Sequence, residues 1–275
     1  MKSRITTSVV SILLVTATGV VAQPIIDGLR DVSYGASVTV QQNPTGWGAG
    51  NVLANLSYYP DASSFSLFVG GRPSGNAFLL FFDTGAAGGQ NVLNNSQTGG
   101  DAYEINNLNG FKFDSGFQAN YMLRVYGDGA ANAYANFFDL GSGANAYWGD
   151  AAPGPVSFGG ASFAQAFQDV GVPYNQVANG FEISIPYSLI GLAGPSATWR
   201  LSAILANGGS DYLSNQQLDS LPNPTGDLGN NHSAWDQTLY AGNQYVTLGV
   251  VPEPSSLALV GLGGLALLGR LYRRR

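Results

Sequence analysis

Apolar and polar residues alternate with a period of two along the middle of the chain. In Ser64-Phe65-Ser66-Leu67-Phe68-Val69 the side chains of Phe65, Leu67 and Val69 fall on one face. Tyr121, Leu123 and Val125 repeat the pattern. So do Phe181, Ile183 and Ile185, set against Glu182 and Ser184. In Trp199, Leu201, Ala203 and Leu205 the tryptophan keeps step with apolar neighbours, which predicts a core position for it. Residues 78–82, Phe-Leu-Leu-Phe-Phe, are apolar on both faces, as a strand buried on both sides requires. Clusters of Gly, Asn and Pro at 85–100, 127–132, 151–160 and 207–210 separate these runs, and residues 188–191 after Pro186 leave room for at most one helical turn. Short strands with turn-rich gaps predict an all-β fold, an antiparallel, jelly-roll-like β-sandwich with long Gly/Asn-rich loops. No charge run, proline-rich linker or repeat divides residues 23–250, so one domain is expected there.

The two ends follow other rules. Basic Met1-Lys2-Ser3-Arg4 leads into an apolar stretch from Ile5 to Val21 and then Val20-Val21-Ala22 before Gln23, the pattern of a secretory signal peptide over 1–22, cut by signal peptidase after Ala22. The other reading is an N-terminal membrane anchor, against which Thr6, Thr7, Ser8, Ser11, Thr16 and Thr18 interrupt a stretch already short for a span. At the far end, Pro252-Glu253-Pro254 is followed by an uncharged apolar segment, 255–269, and a basic close with Arg270, Arg273, Arg274 and Arg275. As a helix that segment would rise about 22 Å, short of a hydrocarbon core of about 30 Å, so thinning or snorkelling is needed for it to span. The arginines would stay cytoplasmic, leaving the body outside the inner membrane.

This tail, 251–275, resembles the PEP-CTERM sorting signal of Gram-negative bacteria. The resemblance implies exosortase as partner, removal of the helix during export, residence in the inner membrane before processing, and a final place in the cell envelope, on the outer surface or in an exopolysaccharide matrix. A plain tail anchor is the alternative. The stretch 113–121 also resembles exported PEP-CTERM proteins of unassigned function.

Composition narrows the chemistry. Of 275 residues 45% are apolar and 10% charged, with no cysteine and one histidine, His232, which is expected in a solvated loop between Asn231 and Ser233. Disulfide frameworks, thiol nucleophiles and Ser-His-Asp triads therefore lack their parts. Between residues 23 and 250 sixteen acids face five bases, a net of −11, which repels nucleic acid. The glycine- and asparagine-rich 91–100 has no lysine and is no P-loop.

Two segments, Ile26-Asp27-Gly28 with Asp31 and Tyr34, and 179–186 (Asn-Gly-Phe-Glu-Ile-Ser-Ile-Pro) followed by Trp199, resemble β-sandwich domains similar to family 9 carbohydrate-binding modules. That resemblance implies a glutamate strand packed in the sandwich, aromatic rings that clamp sugar, and calcium-supported loops. Trp47, Trp148 and Trp235 lie in turn-rich segments and are the candidate sugar-stacking rings, with end plugs of the sandwich as the alternative. Asp27, Asp31 and Asp83 are candidate Ca2+ ligands, although no run matches an EF-hand loop. The pairs Asp27 and Asp31, Asp211 and Asp219, and Asp83 with Asp101 are candidates for glycoside hydrolysis, but aspartates beside glycine and asparagine more often form turns. The expectation is an exported, non-enzymatic carbohydrate-binding or structural module. A secreted glycoside hydrolase using an Asp/Glu pair and a protein-binding surface adhesin are the alternatives.

Overall fold

The computed structural model describes residues 22–100, 102–130, 132–151 and 156–249. The readings of 1–21, of 250–275 and of Asp101 lie outside these residues. The alternating runs are strands: β1 (Thr39–Val40), β2 (Asn51–Pro60), β3 (Ser64–Pro73), β4 (Asn76–Asp83), β5 (Tyr121–Gly127), β6 (Ala133–Asp139), β7 (Asn145–Ala151), β8 (Val156–Phe158), β9 (Ala161–Gln165), β10 (Gly180–Pro186), β11 (Trp199–Asn207), β12 (Leu213–Leu218) and β13 (Val246–Leu248). They form two antiparallel sheets in a sandwich, ordered β1-β2-β3-β10-β9-β8 and β12-β11-β4-β5-β6-β7, with β13 also on β11. In the second sheet β4 to β7 run as a meander.

Between the sheets, Phe65, Leu67 and Val69 of β3 and, beside them in the same sheet, Phe181, Ile183 and Ile185 of β10 face Phe78, Leu80, Phe82, Leu123 and Val125 of the second sheet. Trp199 stands among them as expected, 4.8 Å from Phe65 and 5.9 Å from Phe82, ring centre to ring centre. The run 187–190 is a single 3-10 turn closed by Gly191 at φ 71°, as its length allowed.

The two-faced strand β4 has a physical explanation in a third layer. Its other face, Leu79 and Phe81, packs with Met122, Phe138 and Ile204 against Leu93, Ile105, Leu108, Phe111, Phe113 and Phe117, which the long β4–β5 connection lays across the sheet. The segment after β12 completes this cover with Leu221, Leu228 and Trp235. Within the cover lies a short helix, α1 (Ala102–Asn106), that the strand patterns did not predict. Ile105 and, three residues on, Leu108 turn one side of that segment into the core, which holds the turn in place where its length alone would not.

On the first sheet, the segments 26–34 and 179–186 meet. Glu182 of β10 is fully buried. It accepts from the backbone N–H of Asp27 (2.9 Å) and Gly28 (3.1 Å) on one oxygen and from the Tyr34 hydroxyl (2.7 Å) on the other. Burial nevertheless pushes its carboxyl up to about 7. Gly28 has φ 84°, and a Cβ there would lie 2.3 Å from the backbone of Ala166, so this close approach requires glycine.

Candidate functional site

The outer face of the second sheet is left open beside α1. By the register of β5, β6 and β7, Arg124 stands opposite Asn136 and Asn136 opposite Tyr147, while Tyr126 stands opposite Tyr134. These side chains floor a cleft of about 550 Å3. Tyr103 and Glu104 of α1 form one wall, and Gly208 in the β11–β12 turn contributes another. Asn107 ties the end of α1 to that turn by donating its Nδ2 to the Gly209 carbonyl at 2.8 Å.

At the base, Arg124 and Glu104 form an ion pair at 2.8 Å with both side chains at least 95% buried. Arg124 also donates to the Gly208 carbonyl and lies over the Tyr126 ring at 5.2 Å. A buried pair of this kind is held by its geometry, and each member neutralises the other. Tyr126 and Tyr134 are 6.0 Å apart, while Tyr103 and Tyr147 remain 53% and 49% exposed. The cleft thus offers flat aromatic surface at its mouth and hydrogen-bonding groups fixed in orientation at its floor.

The predicted rings fall elsewhere. Trp148 is 3% exposed and faces the inter-sheet core, stacked on Phe137 at 4.5 Å and 14°. Trp235 is fully buried as part of the third layer, where its indole N–H donates to the Gly229 carbonyl at 3.0 Å and the exposed His232 stacks on it at 4.3 Å. The expectation that these two rings face a sugar is corrected: both plug the interior. Trp47 is half-buried, donates to Asp227 at 2.8 Å and leans on Tyr212 at 5.9 Å, and it does not line the cleft.

The aspartates are engaged locally. Asp83 pairs with Arg200 at 2.8 Å, Asp27 accepts the Leu29 N–H at 2.8 Å, and Asp31 accepts the Ile25 N–H at 2.6 Å. Among the described residues no group of three or more His, Cys, Asp or Glu side chains could hold a metal ion. Asp27, Asp31 and Asp83 do not gather into such a group, and each makes the local bonds just given. Asp211 is bonded to the Asn207 amide at 2.6 Å and Asp219 to the Thr39 hydroxyl at 2.8 Å, at opposite ends of β12.

Sequence reasoning missed Tyr103, Glu104, Arg124, Tyr126, Tyr134 and Asn136. A signal existed in β5, where Arg124 and Tyr126 alternate with the core residues Leu123 and Val125 and set a guanidinium beside an aromatic ring on the strand's second face.

Fold and cleft define an all-β sandwich protein with one outer sheet face covered by loops and partly open as an aromatic, polar cleft. Residues 250–275 match the PEP-CTERM protein-sorting motif, so the chain is an exosortase-targeted protein exported through the membrane. No curated protein and no solved structure matches the chain.

Proposed function

We propose that the exported body is a glycan-binding module, that its site is the tyrosine cleft, and that it works without catalysis in the cell envelope or extracellular polysaccharide matrix. The observation that carries this is the pairing of two half-exposed rings, Tyr103 and Tyr147, with the fixed polar floor of Arg124 and Asn136. Sugars present flat C–H faces and a rim of hydroxyls, which such a cleft complements. Glycoside hydrolysis usually takes two carboxyl groups about 5–9 Å apart. Among the described residues lining the cleft Glu104 is the one carboxylate, and it is occupied by Arg124. The resemblance of 26–34 and 179–186 to family 9 carbohydrate-binding modules supports the same reading.

The test is polysaccharide retention with Tyr103→Ala and Tyr147→Ala. Each loss of a contacting ring should cost on the order of 2 kcal/mol, about thirtyfold in affinity, with melting little changed. Full retention by both variants would refute the cleft as the site. Release of reducing ends would favour a hydrolase, and capture that does not depend on glycan would favour a protein-binding adhesin.

A further inference from the structure

Next to the cleft lies a second groove, of about 370 Å3, whose lining carries no charged residue. Its wall is the extended segment entering α1, where burial alternates: Asn95 and Gln97 turn inward, while Asn94, Ser96 and Thr98 are exposed, all within the groove. Ser142, in the β6–β7 turn, faces it from the other side. Asn95 is 8% exposed, and its Nδ2 has no hydrogen-bond partner. A buried amide donor without a partner is costly, and a ligand hydroxyl would satisfy it.

The groove and the cleft share their supports. Asn145 and Tyr147 are two residues apart on β7, both on its outer face; Tyr147 lines the cleft, and Asn145 donates to Gln97 Oε1 at 3.3 Å in the groove. Asn106 of α1 donates to the Gln97 carbonyl at 2.9 Å and accepts its N–H at 3.1 Å, so the helix that walls the cleft also fixes the segment that walls the groove.

We infer that cleft and groove form one path for an extended neutral polysaccharide, with aromatic stacking at the tyrosine end and amide and hydroxyl recognition at the other. This rests on the glycan-binding reading of the cleft. Each volume alone falls within the range of small-ligand sites, ~300–1,000 Å3, and the supports they share, Asn145 beside Tyr147 on β7 and Asn106 on α1, are what make a longer chain the fitting ligand. The ligand class follows from charge. The groove lining is uncharged, the cleft's Arg124 is already paired, and the body around them carries a net −11, so a polyanionic chain is repelled where a neutral one is not.

The full-length protein in detergent is titrated with neutral gluco-, xylo- and manno-oligosaccharides of two to eight rings, and with polygalacturonate as the polyanionic probe. Affinity for one of the neutral series should rise about tenfold or more with length and then level off, the gain expected from one or two added buried hydrogen bonds. The exposed-residue variant Asn94→Ala with Thr98→Ala and Ser142→Ala should remove the gain with length, whereas Tyr147→Ala should weaken every length. Binding that is tyrosine-dependent but flat with length would overturn the extended path and leave the cleft reading standing. Preference for polygalacturonate would overturn the neutral class. Absence of binding to every neutral probe would overturn both readings together.

Discussion

Tyr147 and Trp148 are neighbours on β7 that point to opposite sides of the sheet, and replacing each by alanine separates core from cleft on a single strand. The Trp148 ring is 3% exposed and lies between Phe137 at 4.5 Å and Phe158 at 5.7 Å. A tryptophan buries about 150–250 Å2, and at about 25 cal/mol per Å2 that burial is worth roughly 4–6 kcal/mol. Alanine keeps a small share of it, so Trp148→Ala should lose roughly 3–5 kcal/mol, the range of large-to-small core changes that leave a cavity. For a body of this size each kcal/mol moves Tm by about 2–4 °C, giving a fall of about 6–20 °C. Tyr147, 49% exposed, should cost about 1 kcal/mol or less on the same change. Urea titration followed by near-UV circular dichroism measures both, with equal m-values required for the comparison. A Trp148→Ala loss below about 1 kcal/mol, or a Tyr147→Ala loss as large as that of Trp148→Ala, would refute the assigned sides of β7 and with them the floor of the cleft.

Glu182 makes stability depend on pH. With its carboxyl raised from an ordinary 4.5 to about 7, the folded state keeps a proton that the unfolded state has lost over that interval. Its contribution is therefore full below pH 4.5 and is lost as pH rises towards 7, by up to about 3 kcal/mol, and Glu182→Gln should flatten that slope in denaturant titrations at a series of pH values. Arg124→Met strands the buried Glu104 charge and should cost about 3–5 kcal/mol, much of which the double variant with Glu104→Met should recover in a double-mutant cycle. Changing Pro252 and Glu253 together to alanine should prevent exosortase processing, read as a higher intact mass of the product; an unchanged mass would mean a plain tail anchor. Protein recovered from the envelope should begin at Gln23 on N-terminal sequencing, and an intact Met1 would reject cleavage after Ala22.

Much of the sandwich was legible because its signal is local. A strand turns every second residue to the inter-sheet core, and Phe65 to Val69, Phe181 to Ile185 and Trp199 to Leu205 show that period within a few residues. The sorting motif is likewise contiguous, 250–275, and needs no fold to be read. The double-sided apolarity of 78–82 announced burial on both faces but could not say by what. The covering layer comes from residues tens of positions away, such as Phe111, Phe113 and Trp235, whose spacing follows no period.

The cleft exists only in three dimensions. Strict alternation backwards from Ala151 would send Tyr147 inward and Trp148 outward. A bulge intervenes: Ala135 pairs with Gly149 but Asn136 with Tyr147, one residue of β7 being left over, and Gly149 sits at φ 127° where a side chain is disfavoured. That single extra residue exchanges the two rings, placing the indole in the core and the phenol beside Asn136. The wall opposite depends on α1, a turn too short to form on its own propensity and held by Ile105 against the sheet, which brings Glu104 to Arg124. Which stretches are strands, and where the chain is sent, are written in neighbouring residues and can be read from them directly. Which side chains share the cleft follows from register, bulge and the packing of distant loops, because these depend on contacts between segments that no local pattern encodes.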